Sequence, residues 1–118
     1  MTEFVRVCLL GEVPMRGAKR VEVDGVPIAI VRTDEGVFAI KDVCSHADVP
    51  LSEGEVEGCA IECWLHGSQF DLRTGAPRTL PAVSAVPVYE VRVAGDADDA
   101  FIEVATAATV VTPASAAP

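Results

Sequence analysis

Both histidines of this chain trail a cysteine at a short offset: Cys44-x-His46, then Cys63-x-x-His66. Two thiols and two imidazoles on two short segments are metal-ligating groups. The spacing inside each pair lets one loop aim both side chains at a common point. The sixteen residues between His46 and Cys63 are enough for a strand or hairpin that brings the second loop beside the first. Four ligands of these types suit zinc or an iron–sulfur centre. Structural zinc loops more often pair Cys with Cys or His with His at short spacing. Here each loop offers one of each, which suits two metals side by side, one taking both cysteines and the other both histidines. A [2Fe–2S] cluster in which two histidines replace two cysteines on one iron is such a centre.

The elements that must position these loops read as strands. FVRVCLL and RVEVDGVPIAIV are rich in β-branched residues, the second broken by a turn at Asp24-Gly25. GVFAIKDV follows the turn signal at residues 33–36, and AIEC, SQFDL, VPVYEVRV and AFIEV complete the set. Gly75 and Gly95 mark further turns. In VYEVRV, apolar and charged residues alternate, as in a strand with one wet face. No segment carries a useful helical period. The expected fold is therefore all-β, with many short antiparallel strands and two longer connections, 43–54 and 63–68, that hold the Cys/His pairs. Residues 1–105 form the expected domain, and 106–118, small and without charge, a flexible tail.

Composition narrows the partners. A chain of 118 residues suits one domain, and with half of them apolar the whole is not disordered. Eighteen acidic residues against nine basic ones give a net charge of -9, a surface that nucleic acid would repel. From Asp42 to Leu72 there are seven acids and no Lys or Arg. Asp42, Asp48, Glu53, Glu55, Glu57 and Glu62 thus form a candidate acidic region for a basic redox partner, the alternative being an ordinary solvated surface. MTEFVRVCLLGEVP does not read as a signal peptide, and no stretch approaches the roughly 20 apolar residues of a membrane helix. The reading is a soluble, cytoplasmic protein with no membrane partner, in which Cys8 and Cys59 are buried free thiols rather than a disulfide.

The chain resembles the Rieske iron–sulfur proteins: C-S-H in the first loop, C-W-L-H-G-S in the second, then QFDLRTGAP and LPA. It is similar above all to the small Rieske-type ferredoxins of bacterial oxygenase systems, over roughly residues 3–104. The resemblance implies stacked antiparallel sheets with the cluster loops at one tip. It also implies one [2Fe–2S] cluster per chain, with Cys44 and Cys63 on the inner iron and His46 and His66 on the outer one. A third loop around Pro81 would cover one side. Residues that would align with an extra disulfide of high-potential relatives are Val49 and Leu65, so that bond is missing. Ser68 matches a serine that donates to a cluster sulfur in those relatives, the alternative being a turn residue bonding its own backbone. Phe70 stands where they have a tyrosine and has no hydroxyl to give. The implied potential lies low in the Rieske range of about -150 to +300 mV.

The function this implies is one-electron transfer, from a flavin-containing, NAD(P)H-dependent reductase to a terminal non-haem iron oxygenase. The carrier would work as a monomer and dock transiently near the cluster tip. Trp64, between the second-loop ligands, is either a docking anchor or packing beneath its own loop. The chain has no evident nucleophile, general base or substrate pocket, so no catalysis of its own is expected. A small Rieske subunit of a larger redox enzyme, such as a nitrite reductase, is the alternative. A zinc-stabilised interaction module is a third reading.

Overall fold

The computed structural model describes residues 3–43, 49–65, 67–78, 85–95 and 97–108. Cys44, His46, His66, Asp48, the turn around Pro81 and the tail beyond residue 108 lie outside them.

Strand formation follows local chemistry. β1 (Phe4–Leu9) leads through a 3-10 turn to β2 (Gly17–Val23). Asp24 (φ 52°) and Gly25 (φ 80°) then reverse the chain into β3 (Val26–Thr33). Two successive positive φ values are what a two-residue hairpin of right-handed twist requires, and Asp-Gly tolerates them. A second reversal joins β3 to β4 (Gly36–Lys41), where the Thr33 hydroxyl accepts a bond from the Glu35 amide at 3.0 Å. Short strands follow: β5 (Val56–Glu57), β6 (Ala60–Glu62), β7 (Gln69–Asp71), β8 (Val88–Tyr89), β9 (Val91–Val93) and β10 (Phe101–Ala105).

These strands pair in three antiparallel sheets, β1-β10-β9, β2-β3-β4-β8 and β5-β6-β7. The four-stranded sheet is the middle layer. Ile28, Ile30 and Ala39 pack from one of its faces with Cys8, Ile102 and Val104 of the first sheet. Ala29, Val31, Ile40 and Val88 pack from the other face with Ile61, Phe70, Leu72 and Cys63. A strand covered on both sides has no wet face, which is why PIAIV in β3 reads as an unbroken apolar run. Fully burying one such Val or Ile side chain stabilises the fold by about 1.5–3 kcal/mol.

The structure departs from the sequence expectation in two places. VPVYEVRV is not one strand: β8 pairs with β4 in the middle sheet and β9 with β10 in the outer one. The chain changes sheet at Glu90, whose carbonyl accepts the Ala105 amide at 2.9 Å. Alternation survives such a crossing because both halves keep one face on a core. Residues 56–57 also pair as a strand, one too short and too polar to be seen as a period.

Candidate metal centre

The second Cys/His loop grows from the β6–β7 hairpin, whose last ladder pair is Glu62 with Gln69. Six residues close the end, and two backbone bonds tighten it. The Cys63 amide donates to the Ser68 carbonyl at 2.7 Å, and the Gly67 amide donates to the Cys63 carbonyl at 2.8 Å. Gly67 has φ +79°, a conformation L side chains rarely adopt. Cys63 and Ser68, at the two feet of this turn, are fully buried. Trp64 and Leu65, at its crest, are 49% and 42% exposed. A buried thiol is thus followed in sequence by two exposed apolar side chains. Trp64 is half-exposed.

The feet of the first loop rest on the same core. Val49 packs against the cluster that contains Cys63, and Leu51 is fully buried within it. The Asp42 amide donates to the Pro27 carbonyl at 2.9 Å, fixing the chain as it leaves β4. The two loops also touch at their bases. A Cβ placed on Gly54 would lie 1.6 Å from the carbonyl oxygen of Glu62, the residue before Cys63. The Glu62 amide in turn donates to the Glu55 carbonyl at 2.8 Å. The third connection has anchored feet as well. Arg78 donates through its amide to the Gln69 carbonyl at 2.6 Å, and the Pro87 carbonyl accepts the Lys41 amide at 2.9 Å. All three connections therefore leave the fold from strands that pack around Cys63.

The donor set discriminates among the described cysteines. Cys8 and Cys59 are buried and free, and they lie in different core clusters, so no disulfide joins them. Burial pushes the Cys8 thiol up from its ordinary value, with Glu12 adding to the effect and Lys19 opposing it. Burial also raises Cys59, with Asp71 adding and Arg78 opposing. Thiolates, not thiols, bind metals, so both are poor ligands. Cys8 lies in β1 and Cys59 in the short turn between β5 and β6, whereas Cys63 stands in the β6–β7 loop that carries the second Cys/His pair, with Ser68 at its other foot. That placement fits one ligand of a cluster held at the protein's edge.

The acidic region needs one correction. Asp42 is fully buried, paired with Arg20 at 3.1 Å, and contributes nothing to the surface. Glu53, Glu55 and Glu57 are exposed and Glu62 is half-buried. The Glu62 carboxylate reaches to 3.7 Å from where a Cβ on Gly67 would be. Sequence reasoning therefore missed the supporting residues Asp42, Ser52 and Gly54. Only the small residue at 54 hinted at a close approach.

Fold and loop feet together define a small all-β protein built to hold a metal centre at one tip. The Rieske [2Fe-2S] domain model matches residues 3–90. The anthranilate 1,2-dioxygenase ferredoxin subunit of Burkholderia cepacia is 46% identical over 67 residues, 57% of this chain and 62% of that one. The ferredoxin component of biphenyl 2,3-dioxygenase from Rhodococcus jostii (strain RHA1) is 36% identical over 93 residues, 79% of this chain and 87% of its own. Among solved structures, the ferredoxin of carbazole 1,9a-dioxygenase from Nocardioides aromaticivorans IC177 superposes with TM-score 0.79 at 39% identity, covering 86% of this chain and 96% of that one. A chain from a complex of reduced oxygenase and oxidized ferredoxin in carbazole 1,9a-dioxygenase gives TM-score 0.81 at 30% identity, covering 91% and 96%. A nitrite reductase small subunit from Mycobacterium tuberculosis, described as NADH-dependent and assigned provisionally, gives 0.78 at 25%, covering 92% and 99%.

The chain belongs to the Rieske [2Fe–2S] domain family. Its cofactor is one [2Fe–2S] cluster, which sets the zinc reading aside, and it is an electron carrier rather than a catalyst.

Proposed function

We propose that this chain is a cytoplasmic, monomeric one-electron carrier. It takes electrons from an NAD(P)H-dependent flavin reductase and delivers them to a terminal non-haem iron oxygenase. Residues 1–105 form the working domain, with Cys44 and Cys63 on one iron and His46 and His66 on the other. The cluster supplies one-electron redox chemistry when bound, and the chain's residues fix it and present it. One observation carries this reading: the fully buried Cys63 is followed at once by the exposed Trp64 and Leu65. An apolar crest beside the redox centre, with the exposed Glu53 and Glu55 and the half-buried Glu62 near the loop feet, suits a brief encounter with a basic-rimmed partner. Ferredoxin components of dioxygenases among the relatives support the oxygenase as client. Among the described residues no helix is long and apolar enough to cross a membrane.

The likeness to a nitrite reductase small subunit favours a second reading, a Rieske subunit held permanently in a larger enzyme. The test is an EPR-monitored redox titration of anaerobically purified protein, with iron counted and the mass in solution measured on the same sample. Two irons per chain, a low-potential Rieske signal and a monomer are the expected results. Protein that is stable only with a larger partner would favour the second reading. Full spectral retention in His46→Ala or His66→Ala would remove that residue from the ligand set.

A further inference from the structure

Asp42 is a carboxylate with no exposed surface, two residues before Cys44. Burying a charge is unfavourable unless it is paired and hydrogen-bonded. Among the described residues this one takes three bonds. Oδ1 accepts the Ser52 amide at 2.6 Å, and Oδ2 accepts the Ser52 hydroxyl at 2.6 Å and Arg20 Nη1 at 3.1 Å. Ser52 belongs to the 3-10 turn Leu51–Glu53, on the far side of the first ligand loop. The carboxylate therefore closes that loop at its base, joining residue 42 to residue 52. The connection runs on through Gly54, packed against the Glu62 carbonyl, to the residue that precedes Cys63.

We infer that Asp42 is a positioning residue for the cluster. Its carboxylate locks the two feet of the Cys44–His46 loop together and onto the foot of the Cys63–His66 loop. The clamp is made from protein groups alone. Opening the loop far enough to release iron has to break it. Charge-assisted bonds to a buried carboxylate are the strong kind, and a buried donor left without its acceptor is costly. The inference rests on the ligand set proposed above.

The test compares iron release from anaerobically purified holoprotein, followed by visible bleaching in excess ferrous chelator at neutral pH. Asp42→Asn keeps the shape but turns an amide N–H₂ toward donors, and release should quicken about tenfold, the loss of one strong bond. Ser52→Ala removes only the hydroxyl contact and should quicken release about threefold; it carries the test should Asp42→Asn not fold. Val104→Ala, fully buried in the other core cluster, is the control. It should lower the melting temperature and leave the release rate unchanged. Release at the wild-type rate in Asp42→Asn and Ser52→Ala overturns the clamp, as does equal acceleration in Val104→Ala. Wild-type protein without iron overturns the ligand reading itself, a failure visible before any variant is compared.

Discussion

Gly54→Ala gives the contact between the two ligand loops a number. Gly54 sits at φ -87° and ψ 177°, where alanine is at ease, so backbone strain is not in question. Such a replacement should stabilise by about 0.4–1 kcal/mol, because the unfolded chain loses freedom. Against this stands a methyl group 1.6 Å from the Glu62 carbonyl oxygen, 2.8 Å from its carbon and 3.3 Å from the Leu51 oxygen. Those atoms are backbone and cannot rotate away. Relief needs a separation of roughly 1.5 Å between the loop and β6, an overpacking adjustment that costs about 1–3 kcal/mol. The Glu62-to-Glu55 bond is lost with it, at about 1 kcal/mol more. Net destabilisation is then about 1–3.5 kcal/mol, or roughly 4–14 °C in a domain of this size. Thermal unfolding of the holoprotein, followed by far-UV circular dichroism and visible absorbance together, measures it. The cluster absorbance should bleach before the sheets melt, since the damage lies between the ligand loops. A melting temperature unchanged or raised by a few degrees would refute the contact, because only the unfolded-chain effect would then be acting.

Four further outcomes can be checked. Ser68→Ala should lower the midpoint by roughly 30–60 mV, up to one tenfold step of a one-electron couple; an unmoved potential with a lowered melting temperature would assign Ser68 to its turn. Trp64→Ala, at a half-exposed position, should leave stability within about 0.5 kcal/mol and slow reduction of a reconstituted oxygenase fivefold or more, as loss of a docking anchor does. That rate should also fall with added salt if the acidic rim steers docking, and indifference to salt would remove the rim from the encounter. Stability should decline above about pH 9, because burial raises Cys8 and Cys59 from their ordinary value of 9.0 in the folded state. The unfolded chain then loses protons first, so their contribution is full below that value and fades as pH rises through the folded one. Melting in Cys8→Ala with Cys59→Ala should be flatter over this range, and an identical profile would exclude the thiols as its cause.

Cofactor class and sheet content were legible in the sequence for the same reason: each is written in residue type and short spacing. Thiols and imidazoles at offsets of two and three announce a loop that aims both at one point. Alternation and β-branching announce strands, and Asp24-Gly25 announces the hairpin it makes. Illegible were the places where two distant segments meet. Nothing local says that VPVYEVRV divides between two sheets, since each half presents the same pattern to a different core. Nothing local separates Asp42 from the surface acids that follow it, since burial is conferred by Arg20 and Ser52, which lie 22 and 10 residues away.

That division bears on how the tip can work. Ligands supply the affinity for iron, but a ligand on a short loop is only as well placed as the loop's feet. Here the feet are held by groups of ordinary type: a buried carboxylate, a glycine with no room for a methyl, and two amide bonds closing the Cys63 turn. Each sits where strands of the middle and third sheets converge, beneath a core shared by Leu51, Ile61 and Phe70. On the proposed function, a partner met at the exposed Trp64 and Leu65 would press on a turn whose feet are held by these groups. If the proposed function holds, a carrier meeting two partners in turn would gain from such support, because docking and release would then load the held feet first. The clamp and the crest are accordingly two parts of one device, the first keeping still what the second brings near.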